Sequence, residues 1–171
     1  IHVDGEVTGD ITNRGTITVT AINTPSSAEA IGINTGIVSG DIVNTGNILI
    51  EAEASDVYDA TGIRVTGVSL GGSIINSNTG VISVNITAAE DNAEGAGIAV
   101  RGDMAGEIEN SGKIMLTSTV NGYEETSFFG IRIDTLSGTL TNTSEGTINV
   151  SRTVGSDSSS GLVGIHVDTV T

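Results

Sequence analysis

The chain contains no cysteine, which excludes disulfides, thiolate metal centres and cysteine nucleophiles. Only four residues are aromatic: Tyr58, Tyr123, Phe128 and Phe129. Ordinary globular cores lean on aromatic bulk. Here Ile, Val, Leu and Ala must fill the interior, which suits a narrow and uniform one. Proline occurs once, at Pro25, against 24 glycines, a balance that favours many tight turns of one kind over a flexible linker. Positive charge is scarce. Lys113 and five arginines stand against 21 acids, for a net charge of −15. Phosphate backbones and anionic lipid surfaces are repelled by such a chain, so nucleic-acid binding is not expected. No apolar run is long enough to span a bilayer, so direct membrane insertion is not expected either. The chain opens on Ile1 with no leader-like segment, which reads as a processed chain or a piece of a longer one.

What the sequence does hold is a repeat. Gly9-Asp10-Ile11-Thr12-Asn13 returns as Gly40-Asp41-Ile42-Val43-Asn44, Gly72-Ser73-Ile74-Ile75-Asn76, Gly106-Glu107-Ile108-Glu109-Asn110 and Gly138-Thr139-Leu140-Thr141-Asn142, at spacings of 31 to 34 residues. A turn glycine follows each copy (Gly15, Gly46, Gly80, Gly112, Gly146), and then a second alternating segment such as Asn47-Ile48-Leu49-Ile50-Glu51. A polar stretch of variable length closes on Gly-Ile, at Gly32-Ile33, Gly62-Ile63, Gly97-Ile98, Gly130-Ile131 and Gly164-Ile165. A third short segment follows, such as Ile63-Arg64-Val65.

Each segment alternates apolar and polar residues, the mark of a half-buried strand. Three strands and three turns per block describe a coil. The expected fold is therefore all-β: a single parallel β-solenoid over 1–171, with three strands per rung and about five rungs. The usual crossover hand makes it right-handed. One rung buries a handful of large aliphatics, worth roughly 10 kcal/mol at ~2 kcal/mol each. Ordering some thirty residues costs more than that, at ~1–2 kcal/mol each. No rung stands alone, so stacking must supply the stability. The column Asn13, Asn44, Asn76, Asn110 and Asn142 is expected to run inward, each amide donating to the rung on one side and accepting from the other. The column glycines are expected to serve turns that need positive φ.

The block Gly-x-Ile-x-Asn followed by Gly-x-Ile-x-Val resembles the repeats of bacterial autotransporter passengers and related large surface adhesins, along essentially the whole chain. The resemblance implies a β-solenoid on the exterior of a bacterial cell. It leaves the function open, because such repeats serve as stalks, adhesins and enzyme scaffolds alike.

Signs of chemistry are few. Asp10, Asp41 and Glu107 share one position, but Ser73 and Thr139 interrupt the column, which reads as solvated charge. Arg132-Ile133-Asp134 is the nearest approach to the Arg-x-Lys motif of polygalacturonase-like β-helix enzymes, and it lacks the lysine. No insertion is long enough to wall a two-carboxylate cleft. Catalysis is therefore not expected. The acidic runs Glu51, Glu53, Asp56 and Asp59, then Glu90, Asp91 and Glu94, then Glu124 and Glu125, follow no calcium-loop spacing. Weak surface Ca²⁺ binding is the most they suggest, and no cofactor is expected.

Two functional readings remain. The variable loops stack along one edge, with Tyr58, Tyr123, Phe128 and Phe129 on or beside them, and would form a lateral face for glycans or a host or matrix surface. In the alternative packing, Phe128 and Phe129 fold back over the loop base. The ends point elsewhere. Ile1-His2-Val3-Asp4 and Ile165-His166-Val167-Asp168 are the same strand of the same rung, and neither carries a polar cap. Open solenoid ends are templates for head-to-tail association. Ile1–Thr8 is expected to pair with Val163–Thr171 of a neighbour, or else a longer solenoid continues there. Register stacking would set His2 against His166 and Asp4 against Asp168, making assembly dependent on acid or cations. The leading expectation is an extracellular structural subunit forming a filament or stalk with copies of itself. A passenger-type adhesin is the alternative.

Overall fold

Alternation of β-branched and polar residues yields strands wherever the repeat places them. The computed structural model covers residues 1–171 and describes all except 68, 90–91, 122–125 and 155–159; at 23–26, 69–70, 154 and 160 it describes the backbone alone. A short β1 (His2–Val3) precedes the first rung, which holds β2 (Ile11–Asn13) and β3 (Thr16–Thr35). The second rung holds β4 (Ile42–Asn44) and β5 (Asn47–Val65). Next come β6 (Ser69–Leu70), β7 (Ile74–Asn76), β8 (Val81–Ala88) and β9 (Ala93–Met104). The fourth rung holds β10 (Glu107–Asn110), β11 (Lys113–Val120) and β12 (Thr126–Leu136), and the fifth β13 (Thr139–Asn142), β14 (Thr147–Val154) and β15 (Ser160–Val170). The described residues contain no helix. Pairing between these strands is parallel and joins equivalent residues of successive rungs, as in Ile108↔Ile74, Ile114↔Ile82 and Ile131↔Ile98. The chain is an all-β solenoid of about five turns.

The first strands of the rungs form one five-stranded sheet, in the order β13-β10-β7-β4-β2. The second and third strands share a larger sheet. In the first two rungs they are one continuous strand, β3 and β5, and the corner between them is a bent ladder rather than a break. Register shifts at Ala28/Glu29 and Val57/Ala60 absorb the bend, the usual work of bulges. The layers are unequal in number. The third-strand column holds six (β1, β3, β5, β9, β12 and β15), whereas the first- and second-strand columns hold five each.

The core is the thin space between the sheets. Ile42, Ile74 and Ile108 from the first strands, Ile48, Ile82 and Ile114 from the second, and Ile33, Ile63, Ile98 and Ile131 from the third are fully buried. Their counterparts in the last rung, Leu140, Ile148, Val150 and Val167, are only partly covered, and Ile165 is 39% exposed.

The column glycines answer to space, not to positive φ as expected. Among the described residues, the glycine with a positive φ is Gly102 (153°), the extra residue of a bulge opposite Ile133 and Thr135. A Cβ on Gly32, Gly62, Gly97 or Gly130 would overlap the Cγ2 of Ile48, Ile82, Ile114 or Ile148, the second-strand isoleucine one rung on. At the turns a Cβ would run the other way. On Gly46, Gly72, Gly106 or Gly138 it would strike the carbonyl of Gly15, Gly40, Gly72 or Gly106 in the preceding rung. The backbone passes too close for any side chain at these corners.

Candidate functional site

Three surfaces carry chemistry. The first is the asparagine ladder at the end of each first strand. Asn13 Nδ2 donates to Asn44 Oδ1 at 2.8 Å, Asn44 to Asn76 at 2.9 Å, Asn76 to Asn110 at 2.8 Å and Asn110 to Asn142 at 2.7 Å. Each of these four amides also donates to a second-strand carbonyl of the next rung: Asn47, Val81, Lys113 and Thr147 in turn. Asn44, Asn76 and Asn110 are fully buried, which makes their polar groups costly to leave unpaired. All five column residues thus lie in one ladder, and the ladder points one way. At its start, Asn13 Oδ1 accepts from Gly15 N–H within its own rung. At its finish, Asn142 Nδ2 turns back to the Gly146 carbonyl at 3.1 Å.

The acids of the first-strand column have a related task. Asp10 Oδ1 accepts from the Asp41 N–H at 2.9 Å, and Asp41 Oδ1 from the Ser73 N–H at 2.8 Å. Each carboxylate thereby caps a backbone donor of the next rung.

The second surface is a strip of ion pairs on the outward side of the third strands. The register His2↔Asn34↔Arg64↔Ala99↔Arg132↔His166 sets these positions one above another. Arg64 bonds Asp59 at 2.7 Å and Glu29 at 2.8 Å. Arg101 reaches Asp59 at 3.2 Å and Glu94 at 3.4 Å, and Arg132 meets Glu94 at 2.8 Å. Asp59 is buried, held by both arginines and by the Thr61 hydroxyl. Sequence reasoning missed this strip. The signal was available: three of the six cations (Arg64, Arg101, Arg132) sit within four residues of a Gly-Ile pair. Elsewhere, on β14, desolvation lowers the pKa of the Arg152 guanidinium.

The same geometry answers the lateral-face expectation. Phe128 lies in the core, stacked in register on Gly95 and Leu162, and is fully buried. Phe129 points outward but is covered: it packs with Ala96, Ala99 and Val163, under Arg132 at 5.3 Å and beside the His166 ring at 5.3 Å. Both rings are buried, so neither is offered to a ligand. Tyr58 is exposed at 58%, beside an open hollow of about 230 Å³ that Glu94 and Arg132 also line. Tyr123 lies outside the described residues, as do Glu90, Asp91, Glu124 and Glu125. Of the acidic runs, Asp59 and Glu94 are engaged by arginine. Among the described residues no group of three His, Asp or Glu side chains converges as metal ligands.

The third surface is the pair of end faces. At one, Ile17 and Val19 are partly covered and Ile1 is half exposed. At the other, Ile148, Val150, Ile165 and Val167 lie open to similar degrees. A Cβ built on Gly9, Gly15 or Gly164 would meet nothing within 4 Å, although each belongs to a column in which interior glycines have no room for one. Ile1, Val3 and Asp4 sit at the first third-strand layer, and Ile165, Val167 and Asp168 at the last. His2 Nε2 contacts Asp4 Oδ1 at 2.7 Å, and His166 Nε2 contacts Asp168 Oδ1 at 2.6 Å.

No family model matches the chain, and no curated protein or solved structure matches it either.

Proposed function

We propose that this protein is a non-catalytic structural element, a solenoid rod that extends head to tail into a filament or stalk on the exterior of a bacterial cell. Gly9, Gly15 and Gly164 carry the reading. Inside the rod a column glycine is enforced by the adjacent rung, and at these three places nothing in the chain enforces it. A further rung of the same geometry would. By analogy with the interior, it would bring an isoleucine over Gly164 and a turn carbonyl under Gly9 and Gly15.

The ladder supports the same reading and supplies its direction. One face offers the Asn142 amide donor and the other the Asn13 carbonyl acceptor, so head-to-tail contact pairs them and head-to-head contact does not. The net charge of −15 keeps the flanks of neighbouring rods apart. The bacterial exterior rests on the resemblance of the repeat to autotransporter passengers.

Electron microscopy of the concentrated protein tests this. Continuous stacking in five layers gives an axial repeat of about 24 Å at ~4.8 Å per layer. Particles that stay single at every concentration would overturn the proposal for copies of this chain.

A second reading, a passenger-type adhesin for glycans or a matrix surface, is favoured by exposed Tyr58 beside its hollow. Replacing Tyr58 with alanine would abolish surface attachment on that reading and leave filaments intact on the first.

A further inference from the structure

The second strands turn every other side chain outward, and the face they make differs in charge from the rest of the molecule. From β5 through β8 and β11 to β14 these strands pair without a register shift. The first-strand column carries Asp10, Asp41, Glu107 and Glu109, and the third strands carry the ion-pair strip. The second-strand face runs from Thr16 to Ile22 in β3 and from Thr147 to Thr153 in β14. Its outward residues are mostly Thr, Ser and Asn, and its charges are Glu51, Glu53 and Lys113. In a chain of net charge −15, this is the flank on which two copies repel least.

The outward residues are also arranged symmetrically about β8. One column reads Thr18, Leu49, Ser83, Met115 and Asn149. Leu49 and Met115 are large apolar side chains, each 37% exposed, one rung to either side of Ser83. A second copy turned over about a twofold axis along β8 sets Leu49 of each copy against Met115 of the other. The same operation sets Lys113 against Asn47, Glu51 against Thr117 and Glu53 against Thr119. Val81, Ser83, Asn85 and Thr87 lie on the axis and meet themselves, and none of them is charged. No acid faces an acid. Rods lying side by side in the same direction would instead set Glu51 against Leu49 and Met115 against Thr117. The axis is fixed by Leu49 and Met115, which belong to interior rungs.

The size of the face suits a weak specific contact. Seven residues at ~3.4 Å and five strands at ~4.8 Å span about 24 Å by 24 Å. Two copies together cover roughly 1,100 Å², just above the ~1,000 Å² that a specific interface needs.

We propose that the second-strand face is a self-docking surface, on which a second copy of this chain lies antiparallel about a twofold axis along β8 with Leu49 against Met115. This flank is the exception to the repulsion between rods. The pairing is lateral and does not draw on the head-to-tail reading.

Two charge substitutions test it. Leu49→Glu and Met115→Lys both lie on the outside of strands, so each variant should melt like the parent. Each should weaken pairing by about tenfold or more, because a charge is pressed against an apolar side chain at two places in the pair. An equimolar mixture of the two variants should pair better than either alone. The new carboxylate and the new ammonium then face each other, and the unchanged Met115 and Leu49 keep their contact. Sedimentation velocity measures the pairing. Small-angle X-ray scattering distinguishes it from end-to-end growth, because side-by-side pairing thickens the cross-section and head-to-tail growth lengthens the particle.

Variants that pair as tightly as the parent would overturn the proposal, as would a mixture that pairs no better than its components. A parent whose cross-section stays that of a single rod at its highest soluble concentration would also overturn it. Elongation at constant cross-section would leave the head-to-tail reading standing while removing the lateral one.

Discussion

Asp59 and Arg64 lie on one strand, five residues apart, and their side chains meet at 2.7 Å across the bulged corner of the second rung. Arg101 completes the clamp from the next rung at 3.2 Å. The Asp59 carboxylate is 8% exposed and the Arg64 side chain 15%, so water screens this pair poorly. Asp59→Ala would leave the largely desolvated Arg64 with the exposed Glu29 as its charged partner and the Asn34 side-chain oxygen as its neutral one. The expected loss is about 2–3 kcal/mol, somewhat below the cost of breaking a fully buried pair because Arg101 is partly solvated. The urea midpoint of the variant against the parent checks it.

Asn76 accepts from Asn44 and donates to Asn110 Oδ1 and the Lys113 carbonyl. Asn76→Ala strips a partner from the buried amides of Asn44 and Asn110 and from the Lys113 carbonyl, and should cost about 2–4 kcal/mol. Asn142→Ala removes the acceptor of the buried Asn110 amide at the open end of the ladder, so it should cost about 1–2 kcal/mol, less than Asn76→Ala. If Asn142 is the donor at a joint, the same change should raise the concentration needed for filament growth, as sedimentation would show.

Glycine-to-alanine changes separate fold from assembly. Gly97→Ala would push a methyl into Ile114 and the Gly130 carbonyl, an overpacking cost of about 3 kcal/mol. Gly164→Ala meets open space in the single chain and should leave the melting curve unchanged within about 0.5 kcal/mol. The proposed stacking requires that Gly164→Ala nevertheless block elongation. Filaments of normal length from this variant would count against a joint of interior geometry.

The two described aromatic types should behave oppositely. Phe128→Ala opens a cavity between Gly95 and Leu162 and should destabilise by about 3–5 kcal/mol. Tyr58→Ala should change stability by no more than about 0.5 kcal/mol. Thermal unfolding of the pair checks the assignment of one ring to the core and the other to the surface.

The repeat was legible because one constraint acts on every rung. Ile42, Ile74 and Ile108 occupy equivalent seats, so period-two alternation and a fixed spacing are enough to place them. The asparagine ladder was legible for the same reason. The ion-pair strip was not, because its contacts cross between positions that are unequal in sequence: Arg64 reaches back to Asp59, and Arg132 reaches down to Glu94. Alternation assigns such residues to the outside and says nothing of their partners. Phe128 and Phe129 show the limit from the other side. Next to a variable loop, the strand phase depends on the length of that loop, and only the register on Gly95 and Ala96 decides which ring faces inward. The glycines were recognised as a column, yet their cause is the approach of a neighbouring rung, a contact that no single repeat contains.

A one-way ladder also has mechanical consequences. Pulled along its axis, the rod loads its rung-to-rung contacts in series, so every joint carries the same force and added length brings no added strength. Failure then proceeds by peeling one turn at a time. A turn of 31 to 34 residues occupies one layer when wound. Paid out at roughly 3.4 Å per residue, it yields about 100 Å of slack. Such a rod would yield by lengthening many-fold before it parts, with the untouched rungs still wound.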